Sequence, residues 1–359
     1  MAEGHGADSI EVLQDMEVVR RRPGMYVGDV HDGSGLHHLI WEVVGNVIDL
    51  HLAGKATQLD VTVRDGWVEV LDDGPGFPVT QHGDRSAVER IFTTLHAAAT
   101  WDGHFPHVHL TSSMRGVGLG PVCALSAELE VETRTRGHVY RQRYQQGRPV
   151  TALERGGPSA TSGARVRFRP DPSIFTDLRF DESQVRARLH ELAYLNPLMT
   201  VGFQGERFRE REGIRSLVWA TAAKRGASPE MPILRGTGRA KEVLVDAAFG
   251  WLDEGPPSLV GFVNQLRHRT GTQLEGLWDG LRAGLGVSPE ASVVRERLGR
   301  GLIGAVHVGL YAPSWGAPTR DHLASPEARE ATAEVVERIL AAALRRDPKL
   351  RRQLLSRLR

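Results

Sequence analysis

Three polar side chains lie at helical spacing within an apolar stretch of the sequence. Glu42, Asn46 and Asp49 occupy positions i, i+4 and i+7, which places them on one face of a helix. A carboxylate beside an amide oxygen suits a divalent cation that also binds phosphate oxygens. Glu42 can then orient or deprotonate a water for attack on a γ-phosphate. A solvated helix face produces the same stripe, so the spacing by itself leaves both interpretations open.

A second acidic position precedes a glycine-rich turn. Asp72 ends an alternating segment, and Gly74 and Gly76 allow the backbone to approach a flat ligand closely. A carboxylate at this position can accept a hydrogen bond from the exocyclic amine of adenine. An ordinary surface turn also explains Asp-Asp-Gly-Pro-Gly. Because the helical stripe and this turn occur together, we favour a nucleotide pocket.

The elements that must position these residues follow from periodicity. An apolar-periodic stretch from Leu36 to Leu52, opened by Ser34-Gly35, predicts a helix that stops at Gly54. Alternating apolar residues on both sides of Asp65-Gly66 predict a β-hairpin that leads to Asp72. Further elements are predicted as helices over Ser86–Ala98 and Gly116–Leu125 and strands over Leu129–Thr133, Val139–Tyr144 and Ala164–Phe168. These elements together indicate a layered α/β domain.

The pattern changes after a predicted helix over Glu182–Leu195, and we place a domain boundary near 205–215. At 359 residues the chain exceeds what one core usually holds, so we expect two domains. The predicted limits are 1–16 for an N-terminal arm, 17–208 for the first domain and 209–359 for the second. The second domain is expected to contain two strands, a helix over Gln273–Leu285, a strand over Gly301–Leu310 and one long C-terminal helix.

Composition excludes several classes of protein. The formal net charge of +1 argues against a protein that coats nucleic acid through bulk charge. Cys123 is the sole cysteine, so no internal disulfide can form, and Cys and His do not cluster at zinc spacing. The sequence contains neither a signal-peptide core nor an apolar run long enough to span a membrane. We therefore expect a cytoplasmic protein.

The segment Arg22–Asp29, which reads Arg-Pro-Gly-Met-Tyr-Val-Gly-Asp, precedes the two acidic motifs. In this order the three signals resemble the ATP-binding domain of DNA gyrase B, the type II topoisomerase branch of the gyrase, heat-shock-90, histidine-kinase and MutL ATPases. The resemblance implies an α/β chain: a two-layer α+β sandwich of the Bergerat ATP-binding type. A smaller α/β transducer domain similar to the ribosomal S5 domain 2-like fold would follow it. It also implies ATP and Mg²⁺ as ligands.

The resemblance assigns roles to matching positions. It implies that Glu42 is the general base, that Asn46 is the Mg²⁺ ligand with Asp49 in the same binding stripe, and that Asp72 anchors adenine. The remaining implied contacts are Gly76, Phe77 and Pro78 as the wall of the base pocket, Tyr26 near the ribose across a dimer, Arg141 at the pocket mouth, and Ser162 of Ser162-Gly163-Ala164 touching adenine through water.

The segment Ser113–Gly118 stands where the family has a Gly-x-His-Gly-x-Gly phosphate loop. Gly116, Val117 and Gly118 would present backbone N–H groups to phosphates at a helix start. The family's first glycine is Ser113 here and its histidine is Arg115. Arg115 either strengthens phosphate binding by its charge or points into solvent.

Two further departures lie at the base pocket and in the second domain. Leu50 and Pro75 replace a glutamate–arginine pair beside the adenine, which leads us to expect weak aminocoumarin binding. In the family's Gln-Thr-Lys loop, which returns to the γ-phosphate, Pro318 replaces glutamine and Arg320 replaces lysine. Arginine keeps the charge but not the geometry of an ammonium, so we expect slow hydrolysis. Alternatively, Arg320 is a loop arginine without nucleotide contact.

The resemblance implies a homodimer that closes on Mg·ATP. Since the chain ends after the transducer-like domain, we expect no DNA cleavage by this chain alone. Its basic C-terminal helix is either a solvated face or a docking tail for DNA or a partner protein. A separate topoisomerase-like subunit is one such partner. The alternative function is a degenerate gyrase B paralogue that acts as a nucleotide-responsive regulator without productive turnover.

Overall fold

The computed structural model describes residues 16–95, 118–286 and 293–358. The chain forms two compact units, one up to Ala187 with Val201–Arg207, and the other from Arg188–Thr200 and from Phe208 onward. The domain limits of 17–208 and 209–359 stay predictions. The proposed N-terminal arm lies outside the described residues, apart from Met16. Among the described helices, none is both long and apolar enough to cross a membrane.

The described residues form ten α-helices and eighteen strands. The helices are α1 Met16–Arg21, α2 Gly24–Val27, α3 Ser34–Leu52, α4 Ala87–Thr93, α5 Leu119–Ala124, α6 Glu182–Leu195, α7 Ile214–Ala223, α8 Thr272–Leu285, α9 Pro326–Arg346 and α10 Pro348–Arg357. The strands are β1 Gln58–Arg64, β2 Trp67–Asp72, β3 Gln81–His82, β4 Arg85–Ser86, β5 Ser126–Thr135, β6 His138–Gln145, β7 Arg148–Pro149, β8 Glu154–Pro158, β9 Gly163–Pro170, β10 Thr200–Phe203, β11 Glu206–Phe208, β12 Leu234–Ala240, β13 Val243–Trp251, β14 Ser258–Val263, β15 Leu266–His268, β16 Thr270–Gly271, β17 Leu302–Gly309 and β18 His322–Leu323.

The larger sheet has the strand order β11-β10-β1-β2-β9-β5-β6-β7, with β8 also paired to β6. Buried apolar and more exposed polar side chains alternate along its strands. Val61, Val70 and Val166 are among the residues buried beneath helices. The opposite face carries charged residues, including an Arg167–Glu130 ion pair. The predicted hairpin is confirmed. Asp65 and Gly66 both have positive φ, as a two-residue turn between β1 and β2 requires.

Helix α3 is the element that positions the polar stripe. Its aliphatic residues are buried, and Ala53 and Gly54 end it as predicted. Two other predicted helices are wrong in extent. Helix α4 ends at Thr93, since Thr94 is already extended, and Ser86 caps it by accepting from the Glu89 N–H. Helix α5 begins at Leu119 because Gly118 has a φ of 79°.

The second unit contains a five-stranded sheet in the order β12-β13-β17-β14-β15, in which β14 and β17 are parallel. Helices α8 and α9 cover one face, and α7, which the sequence reasoning missed, covers the other. The prediction of a single C-terminal helix is wrong. Asp347 accepts hydrogen bonds from the N–H groups of Lys349 and Leu350, and so starts a new helix, α10, at Pro348.

Candidate active site

Glu42 lies in the middle of α3 and is buried, which excludes the solvated-face interpretation for this residue. His38 precedes it by one helical turn, and its Nε2 lies 3.0 Å from Glu42 Oε1. The backbone N–H of Gly118 donates to Glu42 Oε2 over 2.8 Å. One hydrogen bond, from Gly118, and the close contact with His38 therefore orient the carboxylate. A carboxylate held in this way can receive a proton from an aligned water.

His38 was missed by the sequence reasoning, although a signal was present. It lies four residues before Glu42, so it faces the same side of α3. The contact between Gly118 and Glu42 was also unforeseen, because it joins residues 76 positions apart. It brings the last glycine of the predicted phosphate loop to the predicted base. Ser113, Arg115, Gly116 and Val117 lie outside the described residues.

Asn46 lies one turn after Glu42 and is half-buried. Its Nδ2 donates to the backbone carbonyl of Glu42 over 2.6 Å. Since a carbonyl can only accept, the amide nitrogen must face it, and Oδ1 is the atom suited to a cation. Within the described parts of the chain, His, Cys, Asp and Glu side chains form no group of three that could hold a metal. A Mg²⁺ ion at Asn46 would therefore depend on phosphate oxygens, which is its usual mode of binding. Asp49, on the same helix, is half-buried.

Asp72 stands at the end of β2 with a carboxylate that accepts from the backbone N–H of Gly74 over 2.8 Å. Burial raises the pKa of Asp72 to about 6, against the opposing effect of hydrogen bonds from the N–H groups of Gly74 and Ala164. The neighbouring carboxylate has a different task. Asp73 accepts hydrogen bonds from the N–H groups of Thr57 and Gln58 and fixes the turn. Asp72 is thus the carboxylate suited to a ligand.

The wall beside Asp72 is built on close backbone approaches. Gly76 has a φ of 75°, and a Cβ there would lie 2.5 Å from Thr133 Oγ1. The same Thr133 hydroxyl accepts from the N–H of Phe77 over 2.7 Å. The Phe77 ring packs edge-on against Phe92 at 5.4 Å. A side chain on Gly163 would collide with the backbone of Asp72. Thr133 was not foreseen, because it is distant in sequence.

Four more residues were predicted to contact the nucleotide. Pro78 and Tyr26 are half-buried, the latter in the short helix α2, and Ser162 is exposed beside Gly163. Arg141 lies on β6 and pairs with Glu132 of β5 over 2.9 Å. These four assignments stay predictions, as do the roles assigned to Glu42, Asn46, Asp72, Gly76 and Phe77. The structure brings Glu42, Asn46 and Gly118 together, and it joins Asp72 to the glycine wall.

Arg320 belongs to the second unit, and its predicted reach to the γ-phosphate stays a prediction. Its backbone N–H donates to the carbonyl of Ala317 over 3.0 Å, which closes a turn around Pro318 and Thr319. Its φ of 56° lies in the left-handed region, where residues other than glycine are uncommon. The turn therefore holds the backbone of Arg320 in a conformation that costs free energy.

Two protein-family models match the chain. Residues 31–174 match the model described as histidine kinase-, DNA gyrase B-, and HSP90-like ATPase, and residues 213–359 match the model of DNA gyrase B. DNA gyrase B of Thermotoga maritima is 34% identical over 380 residues, which cover 99% of this chain and 59% of that protein. DNA gyrase B of Mycobacterium tuberculosis is 41% identical over 210 residues, 58% of this chain and 30% of that protein. The chain spans about half the length of the curated relatives it matches.

The chain is also similar to solved structures of gyrase B. The 43K ATPase domain of Thermus thermophilus gyrase B, solved in complex with an aminocoumarin, has a TM-score of 0.80 and 30% identity. The match covers 96% of this chain and 93% of that one. The gyrase B protein of Myxococcus xanthus gives a TM-score of 0.77 at 26% identity, over 95% of this chain and 99% of that one. The predicted fold class, an ATP-binding α+β sandwich followed by a transducer domain, is confirmed.

Proposed function

This chain belongs to the DNA gyrase B family of ATPases, and on that premise we propose that it binds Mg·ATP, hydrolyses it slowly and closes into a homodimer while nucleotide is bound. The observation that carries the proposal is the buried carboxylate of Glu42, held between His38 Nε2 and the Gly118 N–H. Burial of a carboxylate costs free energy unless the group is paired and hydrogen-bonded, and carboxylates in such environments cluster at functional sites. Its place beside the end of the predicted phosphate loop supports a role as general base.

The ligand groups fit the residues present. Asp72 supplies an acceptor for the adenine amine, and the Gly76 turn lies so close to Thr133 and Gly163 that it has no space for a side chain. Asn46 supplies one oxygen for Mg²⁺, which when bound neutralises charge on the phosphate oxygens. In hydrolysis Glu42 orients the attacking water and receives its proton, while His38 and the Gly118 N–H keep the carboxylate in place.

The slow rate is proposed from the second unit. Arg320 would offer its planar guanidinium to the γ-phosphate, where the family has a lysine ammonium. Because the guanidinium is larger and directs its charge differently, we expect less stabilisation of the transition state than a lysine gives. Closure into a homodimer, with Tyr26 near the partner's ribose, would complete each site. Cytoplasmic location, DNA binding and a separate cleavage subunit belong to the same proposal.

Substitution of the base tests the proposal. Glu42→Gln keeps the shape of the side chain and an oxygen that can accept from the Gly118 N–H, but it cannot take a proton from water. We expect ATP turnover to fall by roughly 100-fold or more, with the affinity for ATP within about threefold of the parent's. Glu154→Gln, an exposed change on β8 of the same unit, is the matched control and should leave turnover unchanged.

The same assay separates the alternative function. A parent chain that binds ATP but turns it over no faster than Glu42→Gln would support the nucleotide-responsive regulator. Parent turnover that survives Glu42→Gln would remove Glu42 from the role of base.

A further inference from the structure

The residues that carry Arg320 form a small hairpin in the second unit. Trp315 and Leu323 form an antiparallel bridge, and the Gly316 N–H donates to the His322 carbonyl over 2.9 Å. The Ala324 N–H donates to the Ser314 carbonyl over 2.8 Å. These bonds define the base of the hairpin, and the turn that ends at Arg320 is its tip.

One side of the hairpin base rests on a short parallel pairing. Strand β18 pairs with β16, so that Thr270 lies opposite His322 and Gly271 lies opposite Leu323. Two strands of two residues each give little stability by themselves. Side-chain contacts must therefore contribute to holding the hairpin in one position.

His268, the last residue of β15, makes two such contacts. Its ring lies 5.1 Å from the Trp315 ring, at an interplanar angle of 35°. Its Nδ1 lies 3.4 Å from the backbone carbonyl of Asp321, next to Arg320 in sequence. Because a carbonyl only accepts, Nδ1 must carry the proton, so one imidazole contacts both the base and the tip of the hairpin.

The chemistry of the second ring nitrogen favours the neutral form. His268 is 4% exposed, and within the described residues its Nε2 is buried without a hydrogen-bond partner. Burial lowers the pKa of His268. Of the titratable groups around it, Asp321 opposes this effect and His322 reinforces it. A neutral ring can stack on an indole at low desolvation cost, so it can support the hairpin through Trp315.

We propose that His268 is a positioning residue that seats the Arg320 hairpin against β15, so that turnover depends on it while nucleotide affinity does not. The inference rests on the proposed role of Arg320 at the γ-phosphate. His268 acts through the hairpin and does not itself contact the nucleotide. Without the His268 side chain, Arg320 would occupy several positions instead of one. A misplacement of about 1 Å is enough to slow a reaction by roughly 100-fold.

The test compares His268→Ala, His268→Phe and Arg320→Ala in the full chain. We expect His268→Ala to lower kcat by roughly 10- to 100-fold with KM within about twofold, as Arg320→Ala does. His268→Phe keeps a ring against Trp315 and should recover part of the lost kcat. Tyr311→Ala, an exposed residue before the hairpin, is the control and should match the parent.

Hydrogen exchange and NMR measure the order of the hairpin without relying on ATP turnover. In hydrogen–deuterium exchange, His268→Ala should speed exchange at the Gly316 and Ala324 amides, whereas Arg320→Ala should not. Fluorotryptophan NMR, with the Trp315 signal assigned by Trp315→Phe, should show that signal shifted or broadened in His268→Ala. A thermal melt like the parent's would show that the second unit remains folded.

The outcomes separate the two proposals. If Arg320→Ala lowers kcat but His268→Ala changes neither kcat nor exchange, the positioning role is overturned and the proposed function stands. If Arg320→Ala leaves kcat unchanged, the proposed role of Arg320 fails. Unchanged hydrogen exchange in His268→Ala would then overturn the positioning role of His268 as well. A KM that rises with kcat unchanged would also overturn it.

Discussion

At the scale of single residues, two adjacent carboxylates have opposite tasks. Asp73 is satisfied by Thr57 and Gln58 and serves the turn. Asp72 is half-buried where its charge is unfavourable, with a pKa raised to about 6. Residues of this kind mark functional sites more often than structural ones, because their burial lowers stability.

Asp72→Asn should therefore raise stability and lower affinity for ATP. The folded-state pKa is raised above its ordinary value of 3.8, so the stability that Asp72 contributes is present at low pH and lost as pH rises through about 6. An asparagine does not titrate, so the variant should be about 1 to 3 kcal/mol more stable at pH 7.5, with a smaller gap at pH 5. Urea unfolding at both pH values measures this difference.

The same variant should weaken ATP binding by at least roughly tenfold, because a single amide oxygen is a poorer acceptor than a carboxylate. Asp73→Asn is the neighbouring control and should instead lower stability, since it weakens the hydrogen bonds from Thr57 and Gln58. An Asp72→Asn variant that is less stable than the parent at pH 7.5 would contradict the unfavourable burial of this carboxylate.

At the scale of elements, glycines at a spacing of four allow two helices of the second unit to approach closely. A Cβ on Gly280 of α8 would lie 2.5 Å from the Ala333 carbonyl oxygen of α9 and 2.7 Å from the Cβ of Val336. Gly276 faces the same helix, with the backbone of Arg329 in the same relation. The two helices therefore meet backbone to backbone, and these positions have no room for a methyl group.

Gly280→Ala should destabilise the second unit by about 1 to 3 kcal/mol, because overpacking against a backbone carbonyl is not easily relieved. Helix propensity alone predicts that the variant is more stable, since alanine in a helix interior is favoured over glycine by about 1 kcal/mol. Thermal and urea unfolding measure the difference. Ala283→Gly, on the exposed side of α8, is the control for propensity and should cost about 1 kcal/mol. A Gly280→Ala protein more stable than the parent would contradict the close approach.

Local signals in the sequence predicted many of the elements, although not α7 or the break before Pro348, whereas long-range contacts could not be predicted. The turn at Asp65-Gly66 was identified because two residues specify it. The break before Pro348 was missed, although Asp347 followed by proline is a helix-start signal, because the basic periodic pattern continues across it. The interval of four between Gly276 and Gly280 marks a close packing only once α9 is known to face it.

The site shows the same division. His38 could have been found from its spacing to Glu42, which is a property of one helix. Thr133 and Gly118 could not, because their contacts with Phe77 and Glu42 depend on how strands and helices pack. The resemblance to gyrase B supplied residue roles that neither periodicity nor composition contains.

Across the chain as a whole, the proposed function assigns different tasks to the two units. It gives the roles of base and adenine anchor to residues of the first unit and a role at the γ-phosphate to Arg320 of the second. The match of one family model to each unit supports this division of tasks. On this proposal, ATP changes the state of assembly only when both units are present.

Molar mass by light scattering, with and without a non-hydrolysable Mg·ATP analogue, is the test of the proposed nucleotide-gated dimer. We predict a species near the chain mass of 39.5 kDa without nucleotide and a species of roughly twice that mass with the analogue. Asp72→Asn at the same analogue concentration is the matched control and should shift toward the monomer. A mass that stays at the monomer value, although calorimetry shows the analogue bound, would contradict a nucleotide-gated dimer.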